Sequence, residues 1–153
     1  VEVDHHHPLA SIEKMRRGES LNDDDRAPWL AALRSELDRR LDAGDGVVLT
    51  SSALKAAYRR VLTDGRPEVA IVLLHGPPRL LAARLDARQD HFFDPRLLRS
   101  QLETLELPGP SESALVVGVS ADPNAIVQRI LHDLGLPTAA VPGPREPADP
   151  PLP

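Results

Sequence analysis

Two pairs of basic residues stand four positions apart, Lys55 with Arg59 and Arg84 with Arg88. On a helix, that spacing puts both members of a pair on one face. An isolated acid, Asp4, precedes His5, His6, His7 and Pro8 near the start of the chain. Two cationic faces and a lone carboxylate suit an anionic substrate and a carboxylate base. The plainer reading of such Lys and Arg pairs is a solvated helix face. The histidine run beside Asp4 invites a metal site, but adjacent loop residues rarely converge on one ion. No complementary His or Cys spacing follows, so no metal site is expected.

A second constellation joins Asp23, Asp24, Asp25 and Arg26 to Pro28 and the chain's single tryptophan, Trp29. Judged by pattern alone, it is the start of a helix. Asn or Asp can accept from the free backbone N–H groups, and negative charge suits the positive end of the helix dipole. Pro28 is tolerable near a first turn, which puts the cap late in the Asp23–Asp25 run. Trp29, Leu30, Leu33, Leu37 and Leu41 then recur at helical spacing, predicting a buried stripe from about Asp25 to Leu41.

The elements that must position these residues alternate along the chain. Val1 to Val3, Val47 to Thr50, Val69 to Leu74 and Ala114 to Val119 read as strands, the last three as runs buried on both faces. Helices are expected through Ile12 and Met15, from a Ser51 or Ser52 cap to Leu62, and from Leu80 to Arg88. Two more open on Asp94-Pro95 and Asp122-Pro123, with Gly18, Gly65 and Gly135 as stops. Strands alternating with helices predict an α/β domain with a mainly parallel sheet over 1–136. The Pro-rich segment 137–153 cannot build a packed element and is expected to be disordered. In such sheets, ligands bind beyond the carboxyl ends of the strands, where Asp4, His7, Ser51, Ser52 and Lys55 fall.

Composition narrows the classes. A chain of 153 residues has room for one domain, and with 3% aromatics its core must come from Leu, Val, Ile and Ala. A net charge of −5 gives a nucleic-acid partner no support. No apolar run approaches the ~18–20 residues that span a bilayer, so no membrane partner is expected. Zero cysteines exclude disulfides and thiolate metal sites and fit a reducing cytoplasm. The sequence opens at Val1 on a strand-like segment without methionine, which reads as a fragment, a processed chain or a late start.

Six segments in order then match a known pattern. They are Glu2-Val3-Asp4 with His7-Pro8, Ile12 to Met15, Leu21 to Arg26 with Pro28-Trp29-Leu30, Ser52 to Lys55 with Tyr58-Arg59, Arg84-Leu85 with Arg88 and His91-Phe92, and Ser100-Gln101 with Thr104-Leu105-Glu106. From Glu2 to about Leu134 the chain resembles the gluconate kinases, P-loop kinases related to shikimate and nucleoside monophosphate kinases. Val3, Asp90 and Ala56 depart from it, standing where the family usually has Gly, Gly and a basic residue.

The resemblance implies ATP-dependent phosphorylation of D-gluconate to 6-phospho-D-gluconate, with Mg²⁺, and brings with it a homodimer. It implies that Asp4 sits by the acceptor hydroxyl, and that Lys55 and Arg59 hold the sugar acid. It also implies that a lid from Arg84 to Phe92 brings Arg84 or Arg88 onto the transferring phosphate of ATP. His7, Lys14, Arg26, His91 and Gln101 are implied as supporting substrate-side positions. Arg26 is the ligand-facing member of its segment, and the acids around it hold basic neighbours in place. Nothing in the sequence reads GxxxxGK[ST], the loop that cradles nucleotide phosphates. The expected fold is therefore a P-loop kinase-type parallel sheet with flanking helices, lacking its first strand, phosphate loop and first helix. These 153 residues alone are expected to show no turnover. The alternatives are a non-catalytic fragment that binds a sugar acid or a partner, and a shikimate- or nucleotide-kinase-like enzyme.

Overall fold

The computed structural model describes residues 7–87 and 96–137. Helix α1 spans Leu9–Arg16 and ends at Gly18, whose φ of 75° suits a residue without a Cβ. Helix α2, Asp23–Asp42, is set by its first four residues. Asn22 Oδ1 accepts from the Asp25 N–H at 2.9 Å, and Asp25 Oδ2 accepts from the Asn22 N–H at 3.0 Å. This reciprocal capping box fixes the cap at Asn22, ahead of the acidic run. Pro28 consequently lies inside the helix, in its second turn rather than its first. Its missing N–H leaves the Asp24 carbonyl without the usual intrahelical donor.

The predicted stripe is buried. Trp29, Leu30 and Leu33 pack with Tyr58 and Leu62 of α3 (Ala56–Thr63), and Leu49 and Ala53 lie against them. Leu37 is also buried, while Leu41 is only half-buried. Arg34 ties the two helices together. Its Nη1 donates to the carbonyls of Val61 at 3.0 Å and Asp64 at 2.8 Å, filling acceptors at the end of α3. Arg66, beyond that end, returns to Asp38 and Asp42 on α2, both at 2.8 Å.

Helix α3 begins later than its sequence suggests, with Lys55 as the N-cap residue. Lys55 and Arg59 therefore do not share a helix face: Lys55 is extended, with φ −96° and ψ 150°, and Arg59 lies on the helix. The physical reason is a remote cap. Glu106 Oε2 accepts from the Ala56 N–H at 2.7 Å, which starts the helix there.

Strands β1 (Ile71–His75) and β2 (Ala114–Gly118) pair in parallel, in register from Ile71 with Ala114 to His75 with Gly118. Between them run α4, Pro78–Asp86, and α5, Arg96–Thr104. Helix α6, Pro123–Asp133, starts where Asp122 Oδ1 accepts from the Asn124 N–H at 2.9 Å. It covers one side of the sheet, where Val117, Val119 and Ile126 form a core with Val72, Leu80, Leu81, Leu115 and Ile130 packed against it.

Burial on both faces does not hold for these strands. Val116 remains 47% exposed on the face away from Val117, and Leu74, in register with Val117 on the packed face, is still 52% exposed, because among the described residues this sheet has two strands and no third flanks β1. Residues 47–50 are not a strand of it either. They alternate half-buried Val47 and Leu49 with exposed Val48 and Thr50, since only one side meets the Trp29 core. Helix α4 carries Arg84 and ends at Asp86; Arg88, its expected partner, lies outside the described residues. Residues 1–6 with the first expected strand, 88–95 with the Asp94-Pro95 cap, and the proline-rich stretch from 138 lie outside the described residues.

After β1 the chain turns at Gly76, where a Cβ would come within 2.6 Å of Val119 Cγ2. Val119 is buried and its N–H is bonded to the His75 carbonyl at 2.9 Å, so it has little room to yield. Gly76→Ala is expected to cost about 1–3 kcal/mol by overpacking. Urea unfolding followed by circular dichroism measures this, and an unchanged midpoint would mean that Val119 rotates aside freely.

Candidate active site

The site is organised around residues 52–56, a turn pinned from three directions. Arg26 Nη1 donates to Ser52 Oγ at 3.1 Å and to the Ser52 carbonyl at 3.4 Å. Arg59 Nη1 donates to the carbonyls of Leu54 at 3.0 Å and Ala53 at 3.4 Å. Glu106 caps Ala56 and gives its own N–H to the Leu54 carbonyl at 2.9 Å. Backbone groups that an irregular loop would leave to water are thus tied to fixed side chains.

Two cations lie against the Tyr58 ring, the Arg26 guanidinium carbon 5.7 Å and Lys55 Nζ 5.4 Å from its centroid. Asp23 Oδ1 accepts from Lys55 Nζ at 2.5 Å and from the Tyr58 hydroxyl. Lys55 first, then Tyr58, hold the Asp23 carboxyl below the usual carboxylate range. Asp23 in turn raises Lys55. Burial, and next the Asp23 hydrogen bond, push the Tyr58 phenol up. Lys14 Nζ sits 2.8 Å from both oxygens of Asp25, which that lysine and then the Asn22 N–H hold below its ordinary range. The acids of the 23–25 run do hold basic neighbours in place.

Arg26 differs from the other cations here. It is 6% exposed, and burial lowers its pKa, although a guanidinium stays charged at any working pH. Among the described residues its hydrogen bonds run from Nη1 alone, and none goes to a carboxylate. It lines a pocket with Leu54, Leu97, Ser100, Gln101 and Thr104. Leu21 and Thr104 also line an adjoining open cleft with Asp23, Asp24, Lys55 and Tyr58. Ser20 Oγ meets Ser100 Oγ at 2.6 Å, tying the loop before α2 to α5 across this groove.

Of the residues singled out from the sequence, Arg26, Lys55 and Gln101 therefore come together. Lys14 stands behind them on Asp25. His7 is buried, stacked on Trp29 with centroids 4.5 Å apart and planes 7° from parallel, so it packs under α2. Arg59 reaches the same turn from below. It is 3% exposed, and Glu112 grips it at 2.6 Å on Nε and 2.9 Å on Nη2. Arg84 stands apart at the end of α4, exposed, with Nη2 on the Ala121 carbonyl at 3.3 Å. Asp4, Arg88 and His91 lie outside the described residues.

Asp23, Tyr58, Ser100 and Thr104 belong to this site and were not identified as its members from the sequence. Tyr58 carried a usable signal, three residues after Lys55 and on the stripe that includes Leu62. Glu106 and Glu112 carried none, because their partners lie about fifty positions away.

Arg84 is the one described cation assigned to the ATP phosphates, and no three His, Cys, Asp or Glu side chains among the described residues group as a metal site. No described helix is long and apolar enough to cross a membrane.

Parallel strands joined through helices match known enzymes. A crystal structure of a sugar kinase from Janibacter sp. HTCC2649 superposes with a TM-score of 0.82 at 40% identity, covering 89% of this chain and 79% of that one. A gluconokinase from Sinorhizobium meliloti 1021 superposes at 0.77 and 41%, covering 88% and 75%. The fold is thus that of the α/β sugar kinases. In sequence, the gluconokinase of Gluconobacter oxydans (strain 621H) is 41% identical over 126 residues, 82% of this chain and 71% of that protein. The thermoresistant gluconokinase of Escherichia coli K12 is 41% identical over 111 residues, 72% of this chain and 63% of that protein. The chain belongs to the gluconokinase family. No family model matches it.

Proposed function

We propose that this chain forms the acceptor side of an ATP-dependent gluconokinase that converts D-gluconate to 6-phospho-D-gluconate. The observation that carries this reading is Arg26: a buried guanidinium with an open fork, facing a pocket edged by two hydroxyls and an amide. A carboxylate matches that fork in shape and charge. Ser100, Gln101 and Thr104 can then exchange hydrogen bonds with the sugar hydroxyls. Phosphoryl transfer rests mainly on positioning and charge neutralisation. In the reaction, the acceptor oxygen bonds to the γ-phosphorus, the bridge to the β-phosphate breaks, and the hydroxyl proton departs. Asp4 is assigned to orient that hydroxyl and take its proton, and Arg84 and Arg88 to meet the transferring phosphate. When bound, Mg²⁺ supplies charge neutralisation on the phosphates.

Calorimetric titration of the 153-residue protein with D-gluconate, alongside shikimate and a nucleoside monophosphate, tests this reading. Gluconate is expected to bind and the other two are not. Preferential binding of either control would move the chain to another branch of these kinases. With ATP and Mg²⁺ added, no turnover is expected, because nothing in the sequence reads GxxxxGK[ST]. Steady ADP release dependent on gluconate would overturn that expectation.

A further inference from the structure

The acceptor groove has two charged ends, and only one of them is open to an anion. At the Arg26 end, the other charged lining residue, Glu19, is gripped by Arg17 at 2.7 Å. At the other end, Lys55 is already paired with Asp23 at 2.5 Å, and Asp24 lines the same wall. Leu21 and Thr104 line both ends, so the two cavities adjoin. A carboxylate arriving at Arg26 meets a guanidinium that no described carboxylate holds. A second carboxylate on the same molecule meets a lysine already paired with Asp23, and the acid Asp24 beside that pair.

We propose that Asp23 makes this groove selective for sugar acids bearing one carboxylate over those bearing two. The inference rests on the acceptor-site reading above and adds the residue that sets its charge specificity. Discrimination of this kind is a difference between two affinities, and a built-in repulsive group serves it as well as an attractive one. Asp23 suits that role because its side chain is 66% exposed to the groove side while it is fixed by Lys55 and the Tyr58 hydroxyl. The start of α2 keeps its Asn22–Asp25 capping box and Asp24 without it.

The test compares D-gluconate with D-glucarate, which differ only in whether the far carbon carries a hydroxyl or a carboxylate. Binding of each is measured by calorimetry on the wild-type protein, Asp23→Asn, Asp23→Ser and Asp23→Glu. Wild type is expected to prefer gluconate, and Asp23→Asn to shift the affinity ratio toward glucarate by about tenfold, as repulsion is lifted and Lys55 is released. Asp23→Ser should do the same if the amide disturbs folding, and Asp23→Glu should keep the wild-type preference. Raising the salt concentration should compress the wild-type ratio. An unmoved ratio in both neutral variants, with gluconate still bound, would overturn the role of Asp23 and leave the acceptor-site reading standing. Absence of gluconate binding in the wild-type protein would instead remove that reading, and the selectivity with it.

Discussion

Arg26→Ala is expected to weaken gluconate binding by roughly 30- to 1,000-fold, the range set by losing a charge-assisted, two-pronged hydrogen bond of about 2–4 kcal/mol. Among the described residues, no other cation at this site is placed to take over. Lys14 is held by Asp25, Lys55 by Asp23 and Arg59 by Glu112. Arg26→Lys separates charge from shape: it keeps the positive charge, loses the planar fork, and should recover only part of the affinity. Some destabilisation is expected as well, since Arg26 lies over Tyr58 and holds Ser52. Thermal melts of the three proteins without ligand isolate that contribution. Wild-type affinity in Arg26→Ala, at intact fold, would place the carboxylate seat elsewhere.

What could be read from the chain follows from how local the signals are. The stripe from Trp29 to Leu37 is visible because helical period and burial coincide along that stretch of α2, and Gly18, Gly65 and Gly135 mark real helix ends with positive φ. Arg26 stood out in the sequence because acids, Pro28 and Trp29 surround it in a pattern tied to one family, and the structure places it on the pocket wall. Spacing misled where a remote group decides the local structure. Lys55 and Arg59 fit one helix face, yet Glu106 starts the helix at Ala56, leaving Lys55 in the cleft and Arg59 in the core. Val47 to Thr50 has the composition of a doubly buried strand, but burial is a property of neighbours, and one side of this segment faces away from the core.

The consequence of Glu112 gripping Arg59 is a second large effect, this time on stability and with a pH signature. The Arg59 guanidinium, and then the Gly109 N–H, hold the Glu112 carboxyl down at about 2, against an ordinary value near 4.5. A carboxyl depressed in the folded state contributes stability that is fully present above its unfolded value. That contribution disappears as pH falls from about 4.5 to about 2. Arg59 stays charged throughout, so the pair switches on the Glu112 proton alone. Glu112→Gln is expected to cost about 1–3 kcal/mol at pH 7 and much less near pH 2, as followed by urea unfolding across that range. Arg59→Met should cost more at neutral pH, about 3–5 kcal/mol, because it strands Glu112 and also releases the Ala53 and Leu54 carbonyls. Its effect reaches the site, since those carbonyls fix the turn whose Ser52 anchors Arg26; gluconate affinity should therefore fall although Arg59 is itself buried. Glu112→Gln should weaken binding in the same direction and by less. If both variants lose stability equally at every pH, side-chain packing rather than the ion pair holds this turn. If both keep wild-type gluconate affinity, the turn does not position Arg26.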